Sequence, residues 1–130
     1  MKRKIFLIVI FVLLIVYLQF GRPATVTHST TSRDSSGYTM TLSVTMNQLK
    51  IISKEVITTN LIQHIADNSF KNIMFSYDEL GYPNKLTVTV YTNRFMEFLN
   101  LPAFKFHYAQ ETPSEYDIVT SPENFSVIYE

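Results

Sequence analysis

The chain opens with a basic cluster and an uninterrupted apolar run, and this feature constrains the molecule more than any other. Lys2, Arg3 and Lys4 precede fourteen apolar residues from Ile5 to Leu18. As a helix, residues 5–20 extend about 24 Å at about 1.5 Å per residue, against a hydrocarbon core of about 30 Å. Because basic side chains can reach the headgroups and the bilayer can thin locally, residues 5–20 are predicted to contact the lipid bilayer as a transmembrane helix.

The same run also fits the apolar region of a secretory signal peptide, so the following residues distinguish the two possibilities. Signal peptidase prefers small residues one and three positions before the cut. A cut after Gly21 places Gln19 at the third position, and a cut after Ala24 places Arg22 there. We therefore favour an uncleaved membrane anchor over residues 1–21, with a cleaved signal peptide and a secreted protein as the alternative.

The distribution of basic residues predicts the orientation in the membrane. Three basic residues precede the apolar run, whereas only Arg22 and Arg33 follow it closely. The positive-inside rule therefore places the N-terminus in the cytoplasm and the rest of the chain outside. The sequence contains no cysteine, which excludes disulfides and thiolate sites. Because eukaryotic extracellular domains usually carry disulfides, a bacterial cell envelope is the predicted location.

Composition divides the exported part into two segments. Eight of the fourteen residues from Ala24 to Gly37 are Ser or Thr. With so little apolar surface to bury, residues 22–37 are predicted to form a flexible tether. Residues 38–130 are predicted to form one extracytoplasmic domain. They hold six basic and ten acidic residues, hence a net charge of −4, which favours a soluble surface. The whole chain has a formal net charge of zero, which does not indicate a nucleic-acid partner.

The spacing of apolar residues predicts an α+β domain. Alternation predicts strands, and a spacing of three to four predicts helices. The predicted strands span residues 38–46, 72–78, 85–92 and 103–110, and the predicted helices span residues 47–68 and 94–100. Residues 125–129 either add a last strand that closes the sheet or stay loose. The longer helix has a wide apolar arc, which indicates either broad burial or a break near residues 58–60.

Turn residues predict how two of these strands pair. Gly81, Pro83 and Asn84 mark a reversal between residues 72–78 and 85–92, which predicts an antiparallel hairpin. The predicted architecture is an N-terminal transmembrane helix followed by a small two-layer domain. In that domain an antiparallel sheet is packed by one main helix.

No residue pattern predicts a catalytic centre. His64 and His107 stand 43 positions apart, which matches no metal-ligand spacing. The acidic pairs within residues 78–79 and 115–117 fall in turn-like surroundings, where solvated side chains are expected. The three glycines are too far apart to form a phosphate-binding loop. We therefore predict no enzyme activity, no cofactor and no metal, with an enzyme using either histidine and a nearby acid as the alternative.

Aromatic residues are the remaining signal, and they concentrate in the second half of the chain. Exposed tyrosines are common in recognition surfaces, because they supply a large contact area at a small entropy cost. Tyr82 at the predicted hairpin tip is the first candidate for partner binding, and Tyr77 and Tyr91 are the others.

The predicted function is a non-catalytic interaction or accessory module, anchored in the membrane of a bacterial envelope and binding another envelope protein. The alternative is a secreted domain that binds a small ligand against its aromatic residues.

Overall fold

The computed structural model describes residues 1–34, 37–110 and 116–130. The elements are α1 (Lys2–Phe20), β1 (Thr25–Asp34), β2 (Gly37–Thr45), α2 (Lys54–Asp67), α3 (Tyr77–Leu80), β3 (Lys85–Tyr91), α4 (Arg94–Phe98), β4 (Phe104–Gln110), a 3₁₀ turn (Pro122–Asn124) and β5 (Phe125–Tyr129). The described part of the chain is thus α+β, with four α-helices and a five-stranded sheet. The predicted α+β class is confirmed, β2, β3, β4 and α4 correspond to predicted elements, and residues 125–129 add the last strand, β5.

The N-terminal helix α1 is long and apolar enough to cross a membrane or to serve as a signal sequence. It has 19 residues and a mean hydropathy of 2.3, and the side chains from Ile5 to Tyr17 are exposed. Lys2, Arg3 and Lys4 form its first turn. At about 1.5 Å per residue the helix is about 28 Å long, close to the thickness of a hydrocarbon core.

The sheet is mixed, so the prediction of an antiparallel sheet is wrong. The strands lie in chain order from β1 to β5. Strands β2 and β3 are parallel, and the other neighbours are antiparallel. Two parallel strands cannot be joined by a tight turn, so residues 46–84 cross over the sheet and carry α2 on the way.

The predicted hairpin of residues 72–78 with 85–92 is also wrong. Residues 73–76 have no regular secondary structure, and Tyr77 begins α3. Both edges of β3 are occupied, by β2 and by β4, so no edge remains for residues 72–78. The backbone of Phe75 bonds instead to the side chain of Asn68, which accepts from its N–H at 2.8 Å and donates to its carbonyl at 3.0 Å.

The predicted tether is wrong over residues 25–34, which form β1. This strand pairs with β2 along its length, beginning with Thr25 opposite Thr45. Threonine favours extended backbone, and an edge strand can form with little apolar burial. Val26 is buried, while most other described side chains of β1 are exposed.

Helix α2 spans Lys54–Asp67, so it begins seven residues later and ends one residue earlier than the predicted helix 47–68. Ser53 is its N-cap and Asn68 its C-cap, the latter in the left-handed region with φ 55°. Residues 58–60 lie within it without a break. The predicted arc is wide because it includes Ile52, which lies in the preceding loop, and Val56, which lies on the exposed side of α2. The buried apolar residues of α2 are Ile57, Leu61 and Ile65, which share a narrower face.

The core lies on one face of the sheet. Along β2, β3 and β4 the buried apolar residues alternate, so they share that face. Residues of α2 and of the segment after it belong to the same cluster, so the second layer consists of both. The central members are Met40, Leu42, Val44, Ile57, Leu61, Ile65, Phe75, Leu86, Val88, Val90, Phe106 and Ile118.

Candidate functional site

The domain has two ends that differ in chemistry. At one end, here called the proximal end, α1 leads into β1, and β2 and β3 finish together with Thr45 beside Tyr91. At the opposite, distal end, α2 finishes, and residues 68–84 return the chain to the start of β3. The structure places Tyr77 and Tyr82 at the distal end and Tyr91 at the proximal end.

The distal end carries an exposed cluster of aromatic and apolar side chains, here called the distal aromatic surface. The exposed fraction is 81% for Met74, 43% for Leu80, 37% for Tyr82 and 48% for Tyr116. Tyr77 is half-buried among them, and its ring centroid lies 5.0 Å from that of Tyr82. The structure thus brings together two of the three candidate tyrosines.

Hydrogen bonds to tyrosine hydroxyls hold this surface against the core. The Tyr77 hydroxyl donates to the carbonyl of Ile65 at 2.7 Å. The Tyr38 hydroxyl donates to the carbonyl of Gly81 at 2.6 Å. Gly81 has φ 75°, a conformation that favours glycine and lets the chain turn from α3 into Tyr82.

Asn84 joins the two segments that form the surface. Its side-chain Oδ1 accepts from the N–H of Tyr38 at 3.2 Å, and its Nδ2 donates to the carbonyl of Tyr116 at 2.7 Å. The N–H of Ile118 donates to the carbonyl of Pro83 at 3.1 Å. Residues 82–84 and 116–118 are therefore fixed side by side, although they are distant in sequence.

Burial keeps two phenols at this end protonated. It raises the pKa of Tyr77 far above its ordinary value near 10, and the neighbouring Tyr38 and Tyr82 add to the effect. Burial also raises the pKa of Tyr38. Tyr77 and Tyr38 therefore stay neutral hydrogen-bond donors to a higher pH than a free tyrosine does.

A small open cavity lies between the segment that carries the distal surface and strands β1 and β2. Its volume is about 190 Å³, and its lining includes Tyr38, Met40, Phe75 and Tyr77. Pockets for drug-sized ligands usually exceed about 300 Å³. The cavity has room for a small apolar group, such as one side chain of a partner.

Tyr91 is separate from this surface. It is the last residue of β3 and is 9% exposed, and α4 packs against its strand. Its hydroxyl donates to the side chain of Asn100 at 3.4 Å. The three tyrosines do not share a face, because residues 72–78 are not a strand of the sheet.

The histidines have local partners. His107 Nδ1 lies 3.0 Å from Thr87 Oγ1, and His107 Nε2 lies 3.3 Å from Glu130 Oε2. Hydrogen bonding from Lys105, its charge and that of His107 lower the pKa of Glu130. In this row the Glu130 carboxylate can orient the imidazole, whose other nitrogen faces the Thr87 hydroxyl. The strand backbone on both sides of Thr87 pairs with neighbouring strands, so those N–H groups are not available to bind an oxyanion.

His64 is exposed, and its Nδ1 lies 2.7 Å from the hydroxyl of Ser69. Among the residues that the structure describes, no group of three or more His, Cys, Asp or Glu is arranged to hold a metal ion. Neither histidine is therefore placed in a metal-binding cluster within that part of the chain.

The sequence reasoning missed a polar residue at the end of α1. Gln19 is 9% exposed. Its Oε1 accepts from the N–H groups of Leu49 and Lys50, both at 3.0 Å, and its Nε2 donates to the carbonyl of Lys50 at 2.7 Å. The one feature of the sequence that indicates this junction is a single amide side chain, Gln19, directly after the apolar run.

The described residues therefore form an apolar helix bonded to the proximal end of the domain and an aromatic surface at its distal end. No protein-family model matches the chain, and neither a curated protein nor a solved structure gives a significant match.

Proposed function

We propose that the protein is a non-catalytic interaction module anchored in the membrane of a bacterial cell envelope. Helix α1 is the uncleaved anchor, Lys2, Arg3 and Lys4 lie on the cytoplasmic side, and residues 22–130 lie outside. The distal aromatic surface binds another envelope protein.

The observation that carries the proposal is the bonding of Gln19 to the folded domain. A cut after Gly21 or Ala24 removes Gln19 and leaves the N–H groups of Leu49 and Lys50 without this acceptor. A signal peptide that is discarded has no need of such bonds, whereas a retained helix gains a fixed junction with its domain. The three hydrogen bonds therefore support the anchor over the cleaved signal.

The position of the distal aromatic surface supports its role in binding. It lies at the end of the domain opposite to α1, so an anchored chain directs it away from the bilayer. Met74, Leu80 and Tyr82 offer exposed apolar area, and the polar groups of the tyrosines add directional hydrogen bonds. Such a combination suits a partner protein with an apolar patch and polar rim.

Photocrosslinking in intact cells of the native host tests this proposal. In two variants a photoreactive amino acid replaces Tyr82 or Met74. In the control variant it replaces Gln63, an exposed residue of α2. The two distal positions should yield the same adduct, and Leu80→Asp should abolish it while the chain stays folded. Equal adducts from all three positions, or none from the distal positions, would contradict the proposal.

The secreted ligand-binding domain is the second candidate, and the cavity of about 190 Å³ favours it. In that case a chain lacking residues 1–21 should fold and be stabilised by small apolar ligands. Filling the cavity with Met40→Phe should then remove the stabilisation. The anchored module instead requires the full chain in the membrane.

A further inference from the structure

We infer that the proximal end of the domain lies on the outer surface of the bilayer, where a ring of apolar side chains inserts among the lipid headgroups. This inference rests on the proposed anchoring by α1. The ring, here called the proximal collar, consists of Leu49, Ile52, Val56, Phe95, Phe98, Leu99 and Leu101.

The collar is concentrated and strongly exposed. The exposed fraction is 69% for Ile52, 66% for Phe95, 85% for Phe98 and 56% for Leu101. Seven of the thirteen exposed large apolar residues that the structure describes after α1 belong to the collar. Single exposed apolar residues need no explanation, whereas several of them at one end of a domain mark a surface that is covered in use.

Hydrogen bonds place the collar at the point where α1 ends. Gln19 bonds to Leu49 and Lys50 of the loop before α2. The same loop bonds to the segment before α4, since the Gln48 N–H donates to the carbonyl of Thr92 at 2.9 Å and Asn93 Nδ2 donates to the carbonyl of Gln48 at 3.0 Å. Both collar segments are therefore joined to each other, and one is joined directly to the last turn of the anchor.

Helix length supports the same position for the collar. With 19 residues α1 is about 28 Å long, so a helix that spans the hydrocarbon core ends near the opposite interface. Gln19, bonded to the loop, then lies at headgroup level. Apolar side chains beside an interfacial helix end can enter the acyl boundary by about 5–10 Å.

Charge distinguishes a lipid surface from a second copy of the chain. The proximal end carries five basic residues against three acidic ones, namely Arg22, Lys50, Lys54, Arg94 and Lys105 against Glu55, Glu97 and Glu130. The described distal residues include five acidic residues against three basic ones, namely Asp67, Asp78, Glu79, Asp117 and Glu123 against Arg33, Lys71 and Lys85. Basic residues near a bilayer are attracted to anionic headgroups. In a symmetric dimer two copies of this net-positive face would meet, so their overall charge repulsion would oppose association.

The test uses the full chain, which has no cysteine of its own. Single cysteines replace Phe98 or Leu101 in the collar, Met74 at the distal end as matched control, and Ile10 within α1. Each carries an environment-sensitive fluorophore, and the protein is reconstituted in phosphatidylcholine vesicles with about one quarter phosphatidylglycerol. A shallow and a deep nitroxide lipid serve as membrane quenchers, and iodide as the aqueous quencher.

We expect the shallow nitroxide lipid to quench the Phe98→Cys and Leu101→Cys labels several-fold more than the Met74→Cys label, and the deep lipid to quench Ile10→Cys. Quenching at Ile10→Cys with collar labels no different from Met74→Cys would overturn the collar inference and leave the anchor standing. Collar labels protected from both lipid and iodide would overturn it in favour of a protein occupant. An unquenched Ile10→Cys label would contradict the anchor itself.

Discussion

The side chain of Gln19 and the backbone of Lys50 form two hydrogen bonds, one donated to the carbonyl at 2.7 Å and one accepted from the N–H at 3.0 Å. They join the last turn of α1 to the loop that precedes α2. A third bond, from the N–H of Leu49, uses the same amide oxygen. Helix and domain thus share a junction that a tether would not provide.

Replacing Gln19 should open this junction. Gln19→Leu keeps the helix apolar but removes three hydrogen bonds to the backbone of Leu49 and Lys50, each of which contributes about 0.5–1.5 kcal/mol. We expect faster hydrogen exchange at the N–H groups of Leu49 and Lys50 in the full chain in detergent micelles. The control is Phe20→Leu, since Phe20 is 66% exposed. Unchanged exchange in Gln19→Leu would show that the junction does not form.

Substitution of two phenylalanines, one in the core and one in the collar, should have different effects on stability. Phe106 is fully buried in β4, whereas Phe98 is 85% exposed. Phe106→Ala should lower the free energy of unfolding by about 3–5 kcal/mol because it leaves a cavity. Phe98→Ala should lower it by clearly less, because the Phe98 side chain lies outside the core and its removal leaves no cavity. Urea unfolding of the full chain in micelles measures both, and comparable losses would refute the placement of these residues.

Asn68 should be hard to replace for two separable reasons. It ends α2 with φ 55°, and its side chain bonds to both backbone groups of Phe75. Asn68→Ala should lose both contributions, for a total of about 2–4 kcal/mol, and Asn68→Gly should lose chiefly the hydrogen bonds.

Asn60 supplies the control for Asn68, because it is exposed within α2. Asn60→Ala should be neutral or slightly stabilising, since alanine favours helix more than asparagine does. Thermal unfolding of the three variants gives the order, and an Asn68→Gly variant less stable than Asn68→Ala would contradict the role of the left-handed conformation.

Tyr77 should make stability depend on alkaline pH. Burial raises its pKa in the folded state, so its stabilising contribution is complete below the ordinary tyrosine pKa near 10 and is lost as pH rises towards the folded value. The free energy of unfolding should therefore fall above about pH 10, and less steeply in Tyr77→Phe. Tyr82→Phe serves as the matched control on the same surface. Identical slopes for wild type and Tyr77→Phe would disprove this contribution.

The strands with clear alternation could be predicted, whereas their partners could not. Leu86, Val88 and Val90 alternate because one face of β3 packs on the core. The apolar residues Ile73 and Phe75 alternate similarly, yet they face the core from a segment that crosses over it. Local spacing reports which side chains are buried, and it does not report whether the backbone bonds to a strand or to a side chain such as Asn68.

Strand β1 escaped prediction for the opposite reason. Its Ser and Thr side chains bury little, so composition resembled that of a flexible segment. Pairing with β2 stabilises β1 through backbone hydrogen bonds. Amino-acid composition does not predict such bonds, because the backbone of every residue type except proline can both donate and accept them. Of the candidate tyrosines, Tyr77 and Tyr82 lie together at the distal end, while Tyr91 is buried at the proximal end. The sequence could not predict which tyrosines share a surface, because that depends on which strands pair.

The most direct test of the account is the intact mass and cellular location of the chain expressed in its native host. Retention of α1 predicts the full 130 residues, 15.1 kDa, in the membrane fraction, released by detergent and not by salt. A shortened chain in the medium, beginning near Arg22 or Thr25, would contradict the anchor, the Gln19 junction and the collar together.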